Sequence, residues 1–332
     1  MPNITETIEE YLKNFDSNST LSGTVLISKQ NEILISKGYG KASYELGVPN
    51  YPNSKFRIGS ITKTFTAVSV LQLVEKGLIG LDDCINRYFP TQQGGDKITI
   101  SNLLSHTSGI QSYTDSPLMI EWSKNNSSPD EIFKRFSKLE LNTIPGTEFS
   151  YSNSNYCILG MLIEKITDQP YDRVLKETIF DALGMYESEV ETPLKIIKNL
   201  SSGYELDLSK SLIQAPYLNT TNAFASGDIL STAADLHIWD EALHSDKLIT
   251  SDLKSKMYKP FLEHSQYGFG WFVQDTPFGK LAFHSGGITG YSSMLLRFLD
   301  SGVTVIVLNN VSTDISELSK GLAVIAHGSS FT

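Results

Sequence analysis

Ser60 and Lys63, three residues apart in the run FRIGSITKTFTAVSVLQLVEKG, are the first residues of this 332-residue chain able to do chemistry together. On a helix, positions i and i+3 share a face, with about 5–6 Å between their Cβ atoms. A deprotonated amine at 63 reaches the hydroxyl at 60 and takes its proton, leaving an oxygen nucleophile. Ser60 falls where a β-like stretch, Phe56 to Gly59, gives way to a long apolar-periodic helix. The free N–H groups and positive end of a helix favour negative charge there and disfavour an ammonium. Phe65, Ala67, Val68, Val70 and Leu71 make the neighbourhood of Lys63 apolar, and burial lowers a lysine pKa. Spacing alone is weak evidence, because a serine at the start of a helix is commonly only its N-cap. A second S-x-x-K, Ser251–Lys254, lies in the polar run KLITSDLKSKMYKP and is expected at the surface.

Two further groups supply context. Tyr151-Ser152-Asn153 sits in IPGTEFSYSNSNYCILGMLIEKIT, where Pro145-Gly146 sets a turn and an apolar helix follows. The other Y-x-N copies, Tyr51–Asn53 and Tyr217–Asn219, lack that setting. His284-Ser285-Gly286-Gly287, in KLAFHSGGITGYSSMLL, reads as a strand ending in glycines. The order S-x-x-K, Y-x-N, then a basic residue followed by Ser-Gly resembles the three-part active site of penicillin-recognising serine enzymes. With GLIGLDDCINRYFP, ITISNLLSHTSGI, ASGDILSTAADLHIWDEAL and YGFGWFV in the same order, the chain resembles the serine β-lactamase and D-alanyl-D-alanine carboxypeptidase superfamily. It is most similar to the class C-like branch, which includes D-amino-acid peptidases and β-lactamase-type carboxylesterases. The likeness extends from about residue 5 to residue 325.

The resemblance implies hydrolysis of an ester or amide through an acyl-enzyme on Ser60, with no metal or cofactor. Lys63 and Tyr151 are its implied proton-handling residues, and which of them is the principal base stays open. Asn153 is expected to hydrogen-bond Lys63 and the acyl-side amide of a substrate. Ser285 is expected to orient substrate and Gly286 to let the strand backbone approach it; the N–H groups of Ser60 and Gly287 form the implied oxyanion hole. Tyr113 either lines the cleft or is an ordinary surface aromatic, and His106 is expected to fix the loop before Ser108-Gly109. His284 stands where relatives usually carry lysine. A histidine is mostly neutral at pH 7, so its attraction for a substrate carboxylate is expected to be weaker and pH-dependent. The expected substrate is therefore a small ester or a D-amino-acid-containing peptide. A β-lactamase, a D,D-carboxypeptidase or a non-catalytic penicillin-binding scaffold are the alternatives. Neither H-E-x-x-H nor G-x-S-x-G occurs, which argues against a zinc protease and an α/β-hydrolase.

The remaining chain must position these groups. TVLISKQ and EILISKGYG read as a hairpin around Lys29-Gln30-Asn31, and GWFVQD, KLAFHS, SSMLLRFLD and TVIVLNN as late strands. Ile4, Ile8, Tyr11, Leu12 and Phe15 give a first helix, and a last helix is expected from about Thr313 to His327. Early and late strands with helices between imply an α+β fold, β-lactamase/transpeptidase-like: one antiparallel sheet from both chain ends, flanked by terminal helices. Residues 1–59 and 226–332 are expected to form this part and 60–225 a mostly helical domain, with the active site at their seam.

A formal charge of −10 argues against nucleic acid or an anionic membrane surface as partner, and the resemblance implies a small-molecule or short-peptide substrate. No apolar run is long enough to span a bilayer, and oligomeric state is not legible. MPNITETIEEYLKNF has no signal-peptide pattern, so a cytoplasmic protein is expected, or an exported one if a signal preceded it. Cys84 and Cys157 are expected as buried free thiols, with a disulfide the alternative.

Overall fold

In the computed structural model, which describes residues 4–16 and 21–329, the two chain ends meet in one sheet. Its strands are β1 (Gly23–Lys29), β2 (Glu32–Tyr39), β3 (Phe272–Thr276), β4 (Gly279–Ile288), β5 (Tyr291–Phe298) and β6 (Val303–Asn309). They lie in the order β3-β4-β5-β6-β1-β2, antiparallel throughout, and Gly23 of the first strand pairs with Asn309 of the last. The β1–β2 turn is the pair Gln30-Asn31, with φ of 50° and 67°, the left-handed geometry that suits a two-residue hairpin.

Period-two side chains give this sheet two buried faces. Val25, Ile27, Val303, Val305 and Val307 pack with Ile8 and Leu12 of α1 (Ile4–Asp16) and Leu318 and Leu322 of the C-terminal helix. Leu26, Leu295, Ile306 and Leu308 face the larger core shared with the helices. At the centre of that core runs α2 (Thr62–Glu75), every residue of which from Thr62 to Leu71 is buried. The helix is enclosed on every side, and its polar members over that stretch, Thr62, Lys63, Thr64, Thr66 and Ser69, are cut off from water. It packs on α3 (Asn153–Thr167).

Two expectations need adjustment. The stretch from 60 to 225 contains strands as well as helices and loops. Glu189–Val190 pairs with Ile229–Leu230, Phe56–Arg57 pairs with Leu230–Ser231 of the same short strand, and Tyr204–Leu206 pairs with Leu212–Gln214. Segments of two or three residues carry too little pattern to read; the first two pairings bring distant chain alongside, and the third is a local hairpin. The last helix begins at Ser316 rather than Thr313, because the Asp314 carboxylate accepts from the Ser316 N–H at 2.9 Å and turns the chain there. Cys84 and Cys157 are both free, and only Cys157 is fully buried.

A charged pair ties helix α4 (Ala233–Leu243) to the sheet. Arg297 of β5 is 1% exposed and donates through Nε to Asp240 Oδ1 at 2.5 Å; Asp240 Oδ2 also accepts from Thr304. Breaking such a pair strands one charge in a low dielectric. Asp240→Ala should therefore cost about 3–5 kcal/mol in urea unfolding. A loss below 1 kcal/mol would mean that water reaches Arg297.

Candidate active site

A tight turn, Gly59–Ile61, carries Ser60 into α2, and Lys63 follows in the first helical turn. Lys63 is fully buried, its Nζ 2.9 Å from Ser60 Oγ and 2.7 Å from the Ser226 carbonyl. Among the described residues no carboxylate pairs with it, and burial holds its pKa well below the ordinary lysine value. In the 2.9 Å contact a charged amine donates to Oγ, whereas a neutral one accepts the hydroxyl proton. One N–H of the neutral amine still serves the Ser226 carbonyl, so no polar group is orphaned.

Gly59 adopts φ +51°, and a Cβ there would stand 3.0 Å from the Gly287 nitrogen. The Ser60 and Gly287 backbones are thereby brought side by side. This is the close approach that a two-N–H oxyanion site requires.

The Tyr151 ring closes the other side of Lys63, whose Nζ lies 5.0 Å from the ring centroid. Burial pushes the phenol pKa up, and a hydrogen bond with Ser60 pulls it partly back. His106 holds this tyrosine in place. Its Nδ1 accepts from the Ser152 N–H at 3.2 Å, its carbonyl from the Ser150 N–H at 2.8 Å, and its ring lies on that of Tyr151 with centroids 4.2 Å apart. An accepting Nδ1 puts the proton on Nε2, so the imidazole is neutral, and burial favours that form. His106 thus fixes the second motif as well as its own loop.

Several sequence expectations are corrected here. His284 does not face a substrate: it is 1% exposed, Nδ1 donates to the Ser285 carbonyl at 2.6 Å, and Nε2 accepts from the Tyr267 hydroxyl at 3.1 Å. Burial first, and Lys63 second, push its pKa down to about 3, so it is neutral near pH 7 and offers no charge to a carboxylate. Gly286 is required by the protein rather than by a substrate, because a Cβ would lie 2.0 Å from the Ile58 carbonyl oxygen. Asn153 is not the partner of Lys63. Its amide donates to Thr114 Oγ1 at 3.0 Å and its N–H to Ser112 Oγ at 3.1 Å, while Ser226 takes the lysine. The N-cap position of α3 falls to Ser152. Tyr113 is no surface aromatic: it is 2% exposed and donates to the Asn222 carbonyl at 2.5 Å, yet its ring lines the cleft.

The cleft has a volume of about 300 Å³ and brings together Ser60, Tyr113, Asn153, Ser226 and Gly287. Lys63, Tyr151, His284, Ser285 and Gly286 are not among its lining residues; Ser285 is exposed on the strand outside it. Sequence reasoning missed Ser226, although the run ASGD was noted, because a backbone carbonyl leaves no trace in residue identity. Thr114, Ile120 and Leu218 were missed too, as ordinary residues in unpatterned loops. The rival Lys254 turns to Asp246 at 2.7 Å and the Ser245 carbonyl at 2.8 Å. Away from the cleft, His237, Asp240 and Glu241 bring possible metal-ligating atoms within 4.8 Å, but Arg297 already occupies Asp240.

The His284 environment has a consequence for stability. The unfolded chain binds a proton at this ring below pH 6.5, and the folded chain refuses it until about pH 3. Stability is therefore lost as pH falls through that window, by about 1.4 kcal/mol per pH unit for one such group. Urea unfolding of His284→Gln between pH 7 and 4 should show a slope shallower by that amount. An unchanged slope would mean the ring titrates normally in the folded state.

Residues 4–328 match the beta-lactamase family. A penicillin-binding protein of Bacillus subtilis is 32% identical over 314 residues, covering 88% of this chain and 69% of its own. The octameric penicillin-binding protein homologue of Pyrococcus abyssi superposes with a TM-score of 0.88 at 26% identity, covering 98% of this chain and 78% of that one. A D-stereospecific amidohydrolase of a Streptomyces species does so with a TM-score of 0.82 at 26% identity, covering 96% and 98%. A serine on a helix with a buried amine beside it, in this fold and among these relatives, makes the chain a member of the beta-lactamase family, within the superfamily of serine β-lactamases and penicillin-binding proteins, and a serine hydrolase.

Proposed function

We propose that the chain hydrolyses esters or amides that carry no carboxylate beside the scissile bond, through an acyl-enzyme on Ser60. The observation that carries the reaction is Lys63: a buried amine without a counter-ion, 2.9 Å from the serine oxygen. The neutral amine takes the Ser60 proton as Oγ attacks the carbonyl carbon. The N–H groups of Ser60 and Gly287 stabilise the resulting oxyanion, and losing one such donor typically costs about 10²–10³ in rate. The proton then passes by way of Tyr151 to the leaving alcohol or amine as the carbonyl–heteroatom bond breaks. Water next attacks the acyl-enzyme, gives its proton to Lys63, and the acid departs as Ser60 is reprotonated. Tyr151 acts as a neutral phenol, since burial raises its pKa, which leaves Lys63 as the principal base.

Substrate charge follows from the lining. No lysine, arginine, aspartate or glutamate is among the cleft-lining residues, and His284 is sealed away and neutral. A β-lactam or a D,D-carboxypeptidase substrate carries its carboxylate on the leaving-group side, where the buried, neutral His284 offers it no counter-charge. Uncharged small esters fit best. A D-amino-acid amide is the second reading, supported by likeness to the Streptomyces D-stereospecific amidohydrolase. The intact pairing of Ser60 with Lys63 weighs against a non-catalytic scaffold.

Ser60→Ala should abolish both covalent labelling by a fluorophosphonate and turnover of a short-chain ester, with Ser251→Ala retaining both. Labelling that survives in Ser60→Ala, read by intact mass, would refute the nucleophile. Lys63→Met fills the same buried space without a base and should lower the acylation rate by about 10²–10⁴. Near-normal acylation in that variant would transfer the base role to Tyr151.

A further inference from the structure

Among the cleft-lining residues, Met119, Ile120, Leu218, Ala223 and Ile288 are apolar, with the Tyr113 ring among them. Two of these stand on the short helix Met119–Trp122, none of whose residues is buried. That helix is nevertheless held firmly: the Ser123 carbonyl accepts from the Asn219 N–H at 2.7 Å, and Arg135 stacks over Trp122 at 4.5 Å. Ile120 is 75% exposed, Leu118 beside it 50% and Tyr217 on the facing segment 70%. Single exposed apolar residues need no explanation, but a contiguous edge continuous with a nucleophile's cleft marks a binding surface.

The direction of this surface identifies which part of a substrate it meets. A leaving group must collect its proton from Tyr151 or Lys63, so it departs on their side of Ser60. Neither residue lines the cleft, whereas Ser60 and Gly287 do. The apolar space therefore lies on the side of the group that stays attached to Ser60.

Resting on the proposed acyl-enzyme reaction, we infer that Met119, Ile120 and Leu218 form an acyl-binding wall that selects esters or amides of extended, uncharged apolar acids. The cavity of about 300 Å³ takes the first carbons, and the exposed edge of Ile120 and Leu118 takes the rest.

The test is kcat/KM for p-nitrophenyl acetate, butyrate, hexanoate and octanoate, against acetate esters of alcohols of matching lengths. The acyl series should rise about two- to fourfold per methylene until the cleft is filled, and the alcohol series should stay flat. Ile120→Asp and Leu218→Ser should each lower the octanoate-to-acetate ratio by about tenfold or more. Leu46→Ser, an exposed site outside the cleft lining, should leave that ratio unchanged. A flat acyl series, a gradient confined to the alcohol series, or a gradient that both cleft variants leave intact would overturn the inference while the acyl-enzyme reaction stands. Absence of turnover across every ester would overturn the reaction, and this inference with it.

Discussion

The burial of one amine governs this structure. Lys63 is sealed inside a helix whose neighbouring residues are buried, and among the described residues no carboxylate accompanies it. An ammonium there would cost several kcal/mol, and the fold meets that constraint by keeping the group neutral. The Ser226 carbonyl accepts one N–H, and the lone pair is left to the Ser60 hydroxyl. Groups around it obey the same constraint. His106 and His284 are both held neutral by burial and both feel Lys63, so that a proton on either ring would repel a proton on the amine. The dry shell is therefore part of the proposed chemistry, because it keeps a neutral amine available at pH values where an exposed lysine would be charged.

Holding that shell together takes chain from three distant regions. The turn before α2 is clamped on one side by the strand pairing Phe56–Arg57 with Leu230–Ser231 and on the other by β4. Ser293 donates to the Ile58 carbonyl at 2.8 Å, and Gly286 lacks a side chain because that same carbonyl occupies the space. These contacts fix the distance between the Ser60 and Gly287 backbones, the distance on which the proposed oxyanion stabilisation depends. Tyr151 is held from a different direction, by a loop whose left-handed residue, His106 at φ +56°, turns its carbonyl and its ring toward the second motif. A histidine spends backbone strain there, and the Ser150 and Ser152 hydrogen bonds offset it.

Physically, then, the third motif serves the architecture more than the substrate. In KLAFHSGGITG the histidine ties Tyr267 to the strand, and the first glycine admits Ile58. Only the second glycine, exposed and open, turns its backbone to the cleft. With a buried, neutral histidine at this position, the strand offers no charge to a carboxylate.

Much of this was legible in the chain itself. The continuous apolar runs of β1 and β6, the Gln30-Asn31 turn and the stripe of Ile8 and Leu12 are local patterns, and local patterns dictate local structure. So is the three-residue spacing of Ser60 and Lys63, since helix geometry alone puts both on one face. Sequence also marked Tyr151 through its turn and following helix. It could not reveal that His284 points inward, that Asn153 binds Thr114 in place of Lys63, or that the Ser226 carbonyl holds the amine. Nor could it show the two-residue strands that clamp the turn. Side-chain identity says what a residue is able to do, and the sequence by itself determined which groups were capable of the chemistry. Which way each one faces, which backbone carbonyl lies beside it, and how much water reaches it depend on residues from 17 to 163 positions away, and these only the tertiary structure decided.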